Sequence, residues 1–182
     1  MVRMVSDTMI ARSRVSSASP RTIGSRLRAA GFNVLAIDYR GYGRSAARLP
    51  SEESVYEDAE AAWNWLDSRV PDRARRILYG HSLGGPVAAE VALRGGGAAA
   101  LILESSFTSL PEMTVLGDLL SQRMDVLDKL RRLDLPVLVV HGAEDTVVPP
   151  EMAQRLYDAA RGPKRLVMVE GACKFASEAD VI

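Results

Sequence analysis

The segment Gly80-His81-Ser82-Leu83-Gly84-Gly85 has the residue types and spacing of a serine nucleophile on a tight turn. It follows a short apolar run and precedes a helical pattern, which predicts a Ser82 Oγ raised above a sheet between a strand and a helix. Glycines two residues to either side leave space that larger side chains would fill. The Leu83 N–H, at the start of the helix, would be the first donor to a developing oxyanion. The context favours a nucleophile over a plain glycine turn.

Asp145 is the candidate acid for the same chemistry. It lies just past the apolar run Val137–His141, at a strand's carboxyl end, where ligands bind in open α/β sheets. The chain order of serine first and aspartate second also suits a serine–histidine–acid triad. The alternative is a turn or helix-capping aspartate ahead of Val147-Val148-Pro149. The triad role is favoured.

Five short apolar runs, rich in β-branched residues, are typical of strands buried on both faces of a parallel sheet. They are Asn33–Tyr39, Arg76–Tyr79, Ala99–Glu104, Val137–His141 and Leu166–Glu170. Helical patterns separate them, around Val55–Leu66, Pro86–Arg94 and Met152–Ala159. The alternation predicts a three-layer α/β/α fold, with a mostly parallel sheet flanked by helices and right-handed crossovers. Ser82 and Asp145 should lie at the carboxyl edge of that sheet.

Length and composition narrow the class of protein. A chain of 182 residues suits one domain, spanning 1–182. The 23 basic and 23 acidic residues cancel, so we expect no nucleic-acid partner. One cysteine and two histidines exclude an internal disulfide and leave little for a metal site. With no membrane-length apolar run and no secretory signal, a cytoplasmic location is predicted.

Four segments carry a resemblance to a known family. They are GFNVLAIDYRGYGRS (Gly31–Ser45), ILYGHSLGGPVAAE (Ile77–Glu90), LILESSFTSLPEM (Leu101–Met113) and PVLVVHGAEDTVVP (Pro136–Pro149). They resemble bacterial serine hydrolases of the α/β-hydrolase fold, nearest to small esterase-like, serine-peptidase-like proteins. The resemblance covers about residues 28–172, and residues 1–27 and 173–182 look atypical. It implies Ser82 as nucleophile, Asp145 as triad acid, a small-molecule acyl substrate, and neither cofactor nor metal.

The resemblance also shows what is missing. Similar proteins place the general-base histidine in a Gly-Ala-Gly-His segment after the last strand, where this chain has Gly171-Ala172-Cys173-Lys174. A serine hydroxyl is a poor nucleophile without an adjacent base. His81 and His141 are better explained as structural histidines. Lys174 would serve only with a strongly lowered pKa, because an unperturbed lysine has a pKa near 10. None of the three is predicted to replace the base.

The N-terminal region departs from the pattern as well. Similar hydrolases have a central strand whose following loop gives the second oxyanion N–H, and this chain has Arg14-Val15-Ser16-Ser17-Ala18-Ser19-Pro20 in that region. The weak apolar run Thr8–Ala11 is the one strand candidate there. We therefore expect incomplete N-terminal strands and the loss of a central strand. Two explanations stay open: ends translated out of frame or otherwise replaced, and a divergent but genuine family member.

The function predicted is hydrolysis of an ester, thioester or amide through an acyl-enzyme on Ser82, impaired by the absent histidine. The alternative is a catalytically inactive remnant or binding scaffold, which would show no sensitivity to Ser82→Ala. Between the two motifs, the apolar spacing of Met113–Leu130 predicts ordinary amphipathic packing, with a short cap as the alternative. No feature of the sequence identifies the acyl group, the leaving group or the oligomeric state.

Overall fold

The computed structural model describes residues 7–11, 20–42, 45, 47–95, 97–114 and 121–172. Its strands are β1 (Asp7–Ala11), β2 (Asn33–Ile37), β3 (Arg76–His81), β4 (Ala100–Glu104), β5 (Val137–Gly142) and β6 (Lys164–Val169). Its helices are α1 (Pro20–Ala29), α2 (Glu52–Asp67), α3 (Gly84–Gly95), α4 (Val126–Arg132) and α5 (Pro150–Ala159). Short 3₁₀ turns span Arg73–Arg75 and Pro111–Met113.

The six strands form one sheet in the order β2-β1-β3-β4-β5-β6, and every pairing is parallel. The predicted α/β class is confirmed, and all five predicted strands are present with ends shifted by a few residues. Since the strands are parallel, their carboxyl ends share one edge of the sheet, where loops bring distant residues together. Ser82 follows β3 and Asp145 follows β5 at that edge.

The expectation that a central strand is lost is wrong. β1 lies between β2 and β3, with Ala11 in register with Ile37 on one side and with Gly80 on the other. The weak run Thr8–Ala11 is therefore the central strand, since backbone pairing on both sides holds a short segment that has little pattern of its own. The Ser- and Arg-rich stretch behind the expectation comes after this strand, and residues 12–19 lie outside the described ones.

The predicted helices are also confirmed, and the best defined is α2. Ser51 is its N-cap and exchanges hydrogen bonds with Ser54 in a capping box. Trp63 and Leu66 lie on its buried face, whereas Trp65 is exposed. α2 packs against α3, which in turn packs on β3 and β4. The helix that follows the Ser82 turn is thus supported from both sides.

The segment Met113–Leu130 packs on the core at its described apolar positions, as predicted, with Met124 and Leu130 buried, but it is not one continuous helix. Among the residues described there, helix occurs only from Val126, and residues 115–120 lie outside the described ranges. Met124, just before the helix, is buried and has a left-handed φ of 46°. A left-handed residue cannot continue a helix, so an apolar spacing that suits one helix is divided between a loop and α4.

Candidate active site

Ser82 lies on the turn from β3 into α3 with a left-handed φ of 53°. Its N–H donates to the Glu104 carbonyl at 2.9 Å, which ties the turn to β4. Its carbonyl accepts the Gly85 N–H at 2.9 Å and the Ser106 hydroxyl at 3.3 Å. A non-glycine residue in this conformation costs about 1–3 kcal/mol and persists only where its surroundings fix it. The contacts on both sides of Ser82 provide that constraint.

Two glycines let the turn close. A Cβ on Gly80 would lie 2.5 Å from the Gly84 carbonyl oxygen and 2.7 Å from the Gly85 Cα. A Cβ on Gly85 would overlap the side chain of Ser106. Because the atoms that Gly80 approaches are backbone atoms, they cannot move aside cheaply. The glycine requirement predicted from the sequence thus has a steric cause at Gly80, two residues before Ser82, and on the other side the crowded glycine is Gly85, three residues after it.

Asp145 is buried in the loop after β5, with only 3% of its surface exposed. Its Oδ1 accepts the N–H groups of Val147 and Val148, each at 2.8 Å. Its Oδ2 is buried and has no hydrogen-bond donor among the residues that the structure describes. Burying a carboxylate oxygen without a donor is costly. The loop therefore holds the carboxylate firmly and leaves one oxygen open to an N–H from elsewhere.

The two histidines occupy different places. His141 is fully buried near the end of β5, which confirms its prediction as a packing histidine. Its Nε2 lies 2.9 Å from the Val148 carbonyl and 3.5 Å from Asp145 Oδ2. The shorter contact makes the carbonyl the partner of the Nε2 proton. His81 is half-buried at the end of β3, in register with Glu104 on β4.

The chain after β6 returns to the Asp145 loop. The Ala172 carbonyl accepts the Glu144 N–H at 3.1 Å, and the Ala143 N–H donates to the Val169 carbonyl at 2.9 Å. Gly142 is required here, since a Cβ on it would overlap the Ala172 carbonyl oxygen. Lys174, at the predicted base position, lies outside the described residues. It follows Ala172 by two residues, a reach of about 7 Å.

A cavity of about 220 Å³ opens beside Leu83. Its lining is mostly apolar and consists of Tyr42, Pro50, Ser51, Val55, Leu83, Leu110, Gln122 and Met124. From the sequence, Leu83 is expected at the site, and Tyr42 belongs to the loop Arg40–Ser45, which could line the site or be a plain glycine turn; the other residues were not assigned to it. The lining residues come from four separate parts of the chain, and no short motif joins them. Tyr42 and Leu110 lie in the quoted segments Gly31–Ser45 and Leu101–Met113. Their place in those segments is the one sequence signal that could have linked them to the site.

Neither a metal-binding cluster nor a membrane-spanning helix occurs among the described residues. No group of three or more His, Cys, Asp or Glu side chains there is arranged to hold a metal ion. Likewise, within those ranges none of the helices has the length and apolar character required to cross a bilayer.

The sheet order, the serine turn and the buried aspartate define a protein of the α/β-hydrolase class. The model of the family described as "Serine aminopeptidase, S33" matches residues 15–122 and 110–173. This chain belongs to that family. The expected resemblance to α/β hydrolases is thereby confirmed.

Curated relatives are similar over most of this chain. An uncharacterized protein of Mycobacterium tuberculosis is 40% identical over 149 residues, which is 78% of this chain and 52% of that protein. "Alpha/beta hydrolase domain-containing protein 17B" of Homo sapiens is 34% identical over 154 residues, 82% of this chain and 52% of that protein. The chain thus spans about half the length of the curated relatives it matches.

Solved structures share the fold. The esterase domain of a Rhodothermus marinus protein superposes with a TM-score of 0.71 at 25% identity, covering 94% of this chain and 78% of that one. A soluble variant of monoglyceride lipase from Saccharomyces cerevisiae gives a TM-score of 0.77 at 14% identity, covering 96% and 80%. At 14% identity the likeness concerns the fold alone.

Proposed function

We propose that this chain carries the nucleophile and acid of a serine hydrolase that cleaves an ester, thioester or amide through an acyl-enzyme. The observation that carries the proposal is the left-handed Ser82 between β3 and α3, the geometry of a nucleophile elbow. Strained backbone of this kind concentrates at functional sites. Membership of a hydrolase family supports the reaction class, and esterases and lipases among the proteins of similar fold agree with it.

In this mechanism the Ser82 Oγ attacks the carbonyl carbon of a small-molecule acyl substrate. The Leu83 N–H, at the N-terminus of α3, holds the oxyanion that forms. The bond to the leaving group then breaks, and the leaving group takes up a proton. Water attacks the acyl-enzyme and releases the acid. A second oxyanion donor would come from residues after β1, because Ala11 ends that strand beside Gly80 at the same edge.

The proton transfers need a base at or near position 174. Asp145 would orient it by accepting its N–H at the open Oδ2. The described chain ends at Ala172, which is hydrogen-bonded to the Asp145 loop, so a histidine two residues later would be in reach of that oxygen. Lysine at 174 is charged at neutral pH unless its pKa is strongly lowered. The unchanged chain should therefore be a weak catalyst.

A second candidate is an inactive scaffold that binds acyl compounds without cleaving them. Lysine at position 174, with the two histidines at positions 81 and 141, favours it. The two candidates differ in whether Ser82 reacts at all.

Hydrolysis of p-nitrophenyl butanoate distinguishes them. We expect slow turnover by the unchanged chain, loss of it in Ser82→Ala, and a rise of about a hundredfold or more in Lys174→His. Lys174→Arg is the matched control, since it changes the side chain without supplying a base, and should stay slow. Turnover that is equal in the unchanged chain and Ser82→Ala, together with no gain in Lys174→His, would support the scaffold.

The cytoplasmic setting is also a proposal. A single cysteine cannot form an internal disulfide and so suits a reducing compartment. Fractionation of cells that produce the protein tests the setting, and recovery in a membrane or secreted fraction would contradict it.

A further inference from the structure

The cavity beside Leu83 has a wall that is fixed from a distant part of the chain. Leu110 and Met124 form part of that wall. The Leu110 N–H donates to the Arg123 carbonyl at 2.8 Å, which joins the two wall segments. Met124 is 3% exposed and has a left-handed φ of 46°, a conformation that requires outside support.

The carboxylate of Glu52 supplies that support. Its Oε2 accepts the Arg123 N–H at 2.7 Å, and its Oε1 accepts the Met124 N–H at 3.0 Å. Hydrogen bonds from backbone N–H to an ionised carboxylate are about twice as strong as neutral ones. One side chain in the first turn of α2 thus holds two consecutive backbone groups at the cavity wall.

Glu52 is itself held in place. The Tyr56 hydroxyl donates to Oε1 of Glu52 at 2.8 Å and accepts from Lys129 Nζ at 2.7 Å. Lys129, buried in α4, also pairs with Glu90 at 3.2 Å. This chain of contacts links the start of α2 to α4, the helix that begins two residues after Met124, so the Met124 segment is tied to α2 both directly and through α4.

The cavity volume limits what it can contain. A 150 Å³ apolar cavity binds benzene, so a cavity of 220 Å³ suits about six to nine carbon atoms. Its lining is mostly apolar, which favours an aliphatic chain. It adjoins Leu83, next to the proposed nucleophile. The acyl group stays on the enzyme through both half-reactions, so a cavity lined by the residue that follows the serine contributes most if it contains that group.

We propose that this cavity binds the substrate's acyl chain and that Glu52 is the positioning residue that sets its length limit, near octanoyl. The assignment to the acyl group rests on the proposed function, since it depends on Ser82 as nucleophile. Glu52 would not touch the reacting atoms. It would act through Arg123 and Met124, and its loss should change selectivity for chain length more than it changes affinity for short chains.

Binding without turnover tests the proposal. The full chain carrying Ser82→Ala, with ¹³C-methyl methionine, is titrated with butanoate, hexanoate, octanoate, decanoate and dodecanoate while the Met124 methyl resonance is followed. Met124→Leu identifies that resonance. We expect affinity to rise about threefold to fourfold per added methylene up to octanoate, and then to stop rising. A Met124 methyl that does not shift, or a rise that continues unchanged to dodecanoate, would overturn the proposal.

Two variants isolate the role of Glu52. Glu52→Gln can no longer accept both N–H groups with a charge, so the rise should continue beyond octanoate. Glu53→Gln makes the same change one residue along the first turn of α2, where the carboxylate pairs with Arg94, and should keep the limit. If Glu53→Gln moves the limit as far as Glu52→Gln does, Glu52 is merely structural.

A third variant covers the case in which Glu52→Gln does not fold. Leu110→Phe fills part of the cavity and keeps the Met124 methyl as the probe, and should move the limit to hexanoate or shorter. An unmoved limit would contradict the cavity assignment.

The outcomes also separate this inference from the proposed function. A limit at octanoate with no hydrolysis by Lys174→His contradicts the proposed function and the assignment to an acyl group, but keeps the aliphatic cavity and the role of Glu52. Ser82-dependent hydrolysis with no limit contradicts this inference alone.

Discussion

The Ser82 turn and the Asp145 loop lie at the same edge of the sheet, but only the first has all its hydrogen-bond partners among the described residues. Around Ser82, both backbone groups have partners, and two close glycine contacts fix the turn. In the other loop, Asp145 has two donors on Oδ1 and none among the described residues on Oδ2. In the proposed function, Ser82 as nucleophile is positioned by neighbouring backbone, whereas Asp145 as triad acid would still need an N–H donor for its Oδ2.

If the proposed function holds, this difference would explain why the Ser82 turn is well defined although position 174 has a lysine where similar proteins have the base. The Ser82 turn is specified by β3, α3 and β4, which also form the core, so a change there would damage the fold. The base position is not part of those elements. On the proposed function, a lysine rather than a histidine at position 174 would remove the proton transfer without altering those elements.

The largest expected effect concerns Asp145 and depends on the base. In a Lys174→His background, Asp145→Asn should lower ester hydrolysis by about a thousandfold to ten-thousandfold. The asparagine oxygen would stay with the Val147 and Val148 N–H groups, so the NH2 would replace Oδ2, and an NH2 cannot accept the imidazole N–H. In the unchanged chain the same substitution should alter turnover by less than about twofold. Steady-state rates of the unchanged chain, Asp145→Asn, Lys174→His and the double variant complete a double-mutant cycle. Equal losses in both backgrounds would mean that Asp145 acts on something other than the base.

The next effect concerns the stability of the Ser82 turn. Gly80→Ala places a Cβ against the backbone of Gly84 and Gly85 and should lower the free energy of unfolding by about 3 kcal/mol. Gly24→Ala is the control: its Cβ would meet only Val34 Cγ1 at 3.9 Å, and alanine in a helix should gain up to about 1 kcal/mol. Urea denaturation measures both. A Gly80→Ala variant as stable as the unchanged chain would show that the turn is less tightly packed than described.

The smallest effect contrasts Asp145 with Asp58, a carboxylate whose two oxygens both have donors. Asp58 accepts the Arg40 N–H at 2.8 Å and the Arg40 guanidinium at 2.7 Å. Burial alone would raise the pKa of Asp58, but the hydrogen bonds from Arg40 outweigh it and hold that pKa below its usual value. The stabilisation is therefore present above the unfolded pKa of about 3.9 and is lost as pH falls through the lower folded value.

Asp58→Asn should accordingly cost about 1 kcal/mol at neutral pH and less at strongly acidic pH. Unfolding free energies of the variant and the unchanged chain, measured from neutral to acidic pH, give the difference directly. A difference that grows toward acid would have the wrong sign and would contradict the pairing.

Local patterns predicted the parts of the molecule that local physics determines. The apolar run of β3, the glycines around Ser82 and the cap of α2 each suffice to define an element. β1 could not be predicted with the same ease, since its five residues are held by pairing with β2 and β3 rather than by their own pattern. The Glu52 contacts could not be predicted from the sequence because Glu52 and Arg123 are 71 positions apart and no motif joins them.

The most direct test of the central claim is labelling by a fluorophosphonate probe, which reacts with an activated serine. The unchanged chain, Lys174→His, and Lys174→His with Ser82→Ala are treated side by side and followed by intact mass. We predict slow labelling of the first, labelling of the second faster by about a hundredfold or more, and none of the third. The central claim is that Ser82 sits on a nucleophile elbow that lacks only its general base. Two results would contradict it: labelling of the unchanged chain as fast as that of Lys174→His, or no labelling of a Lys174→His variant that is folded.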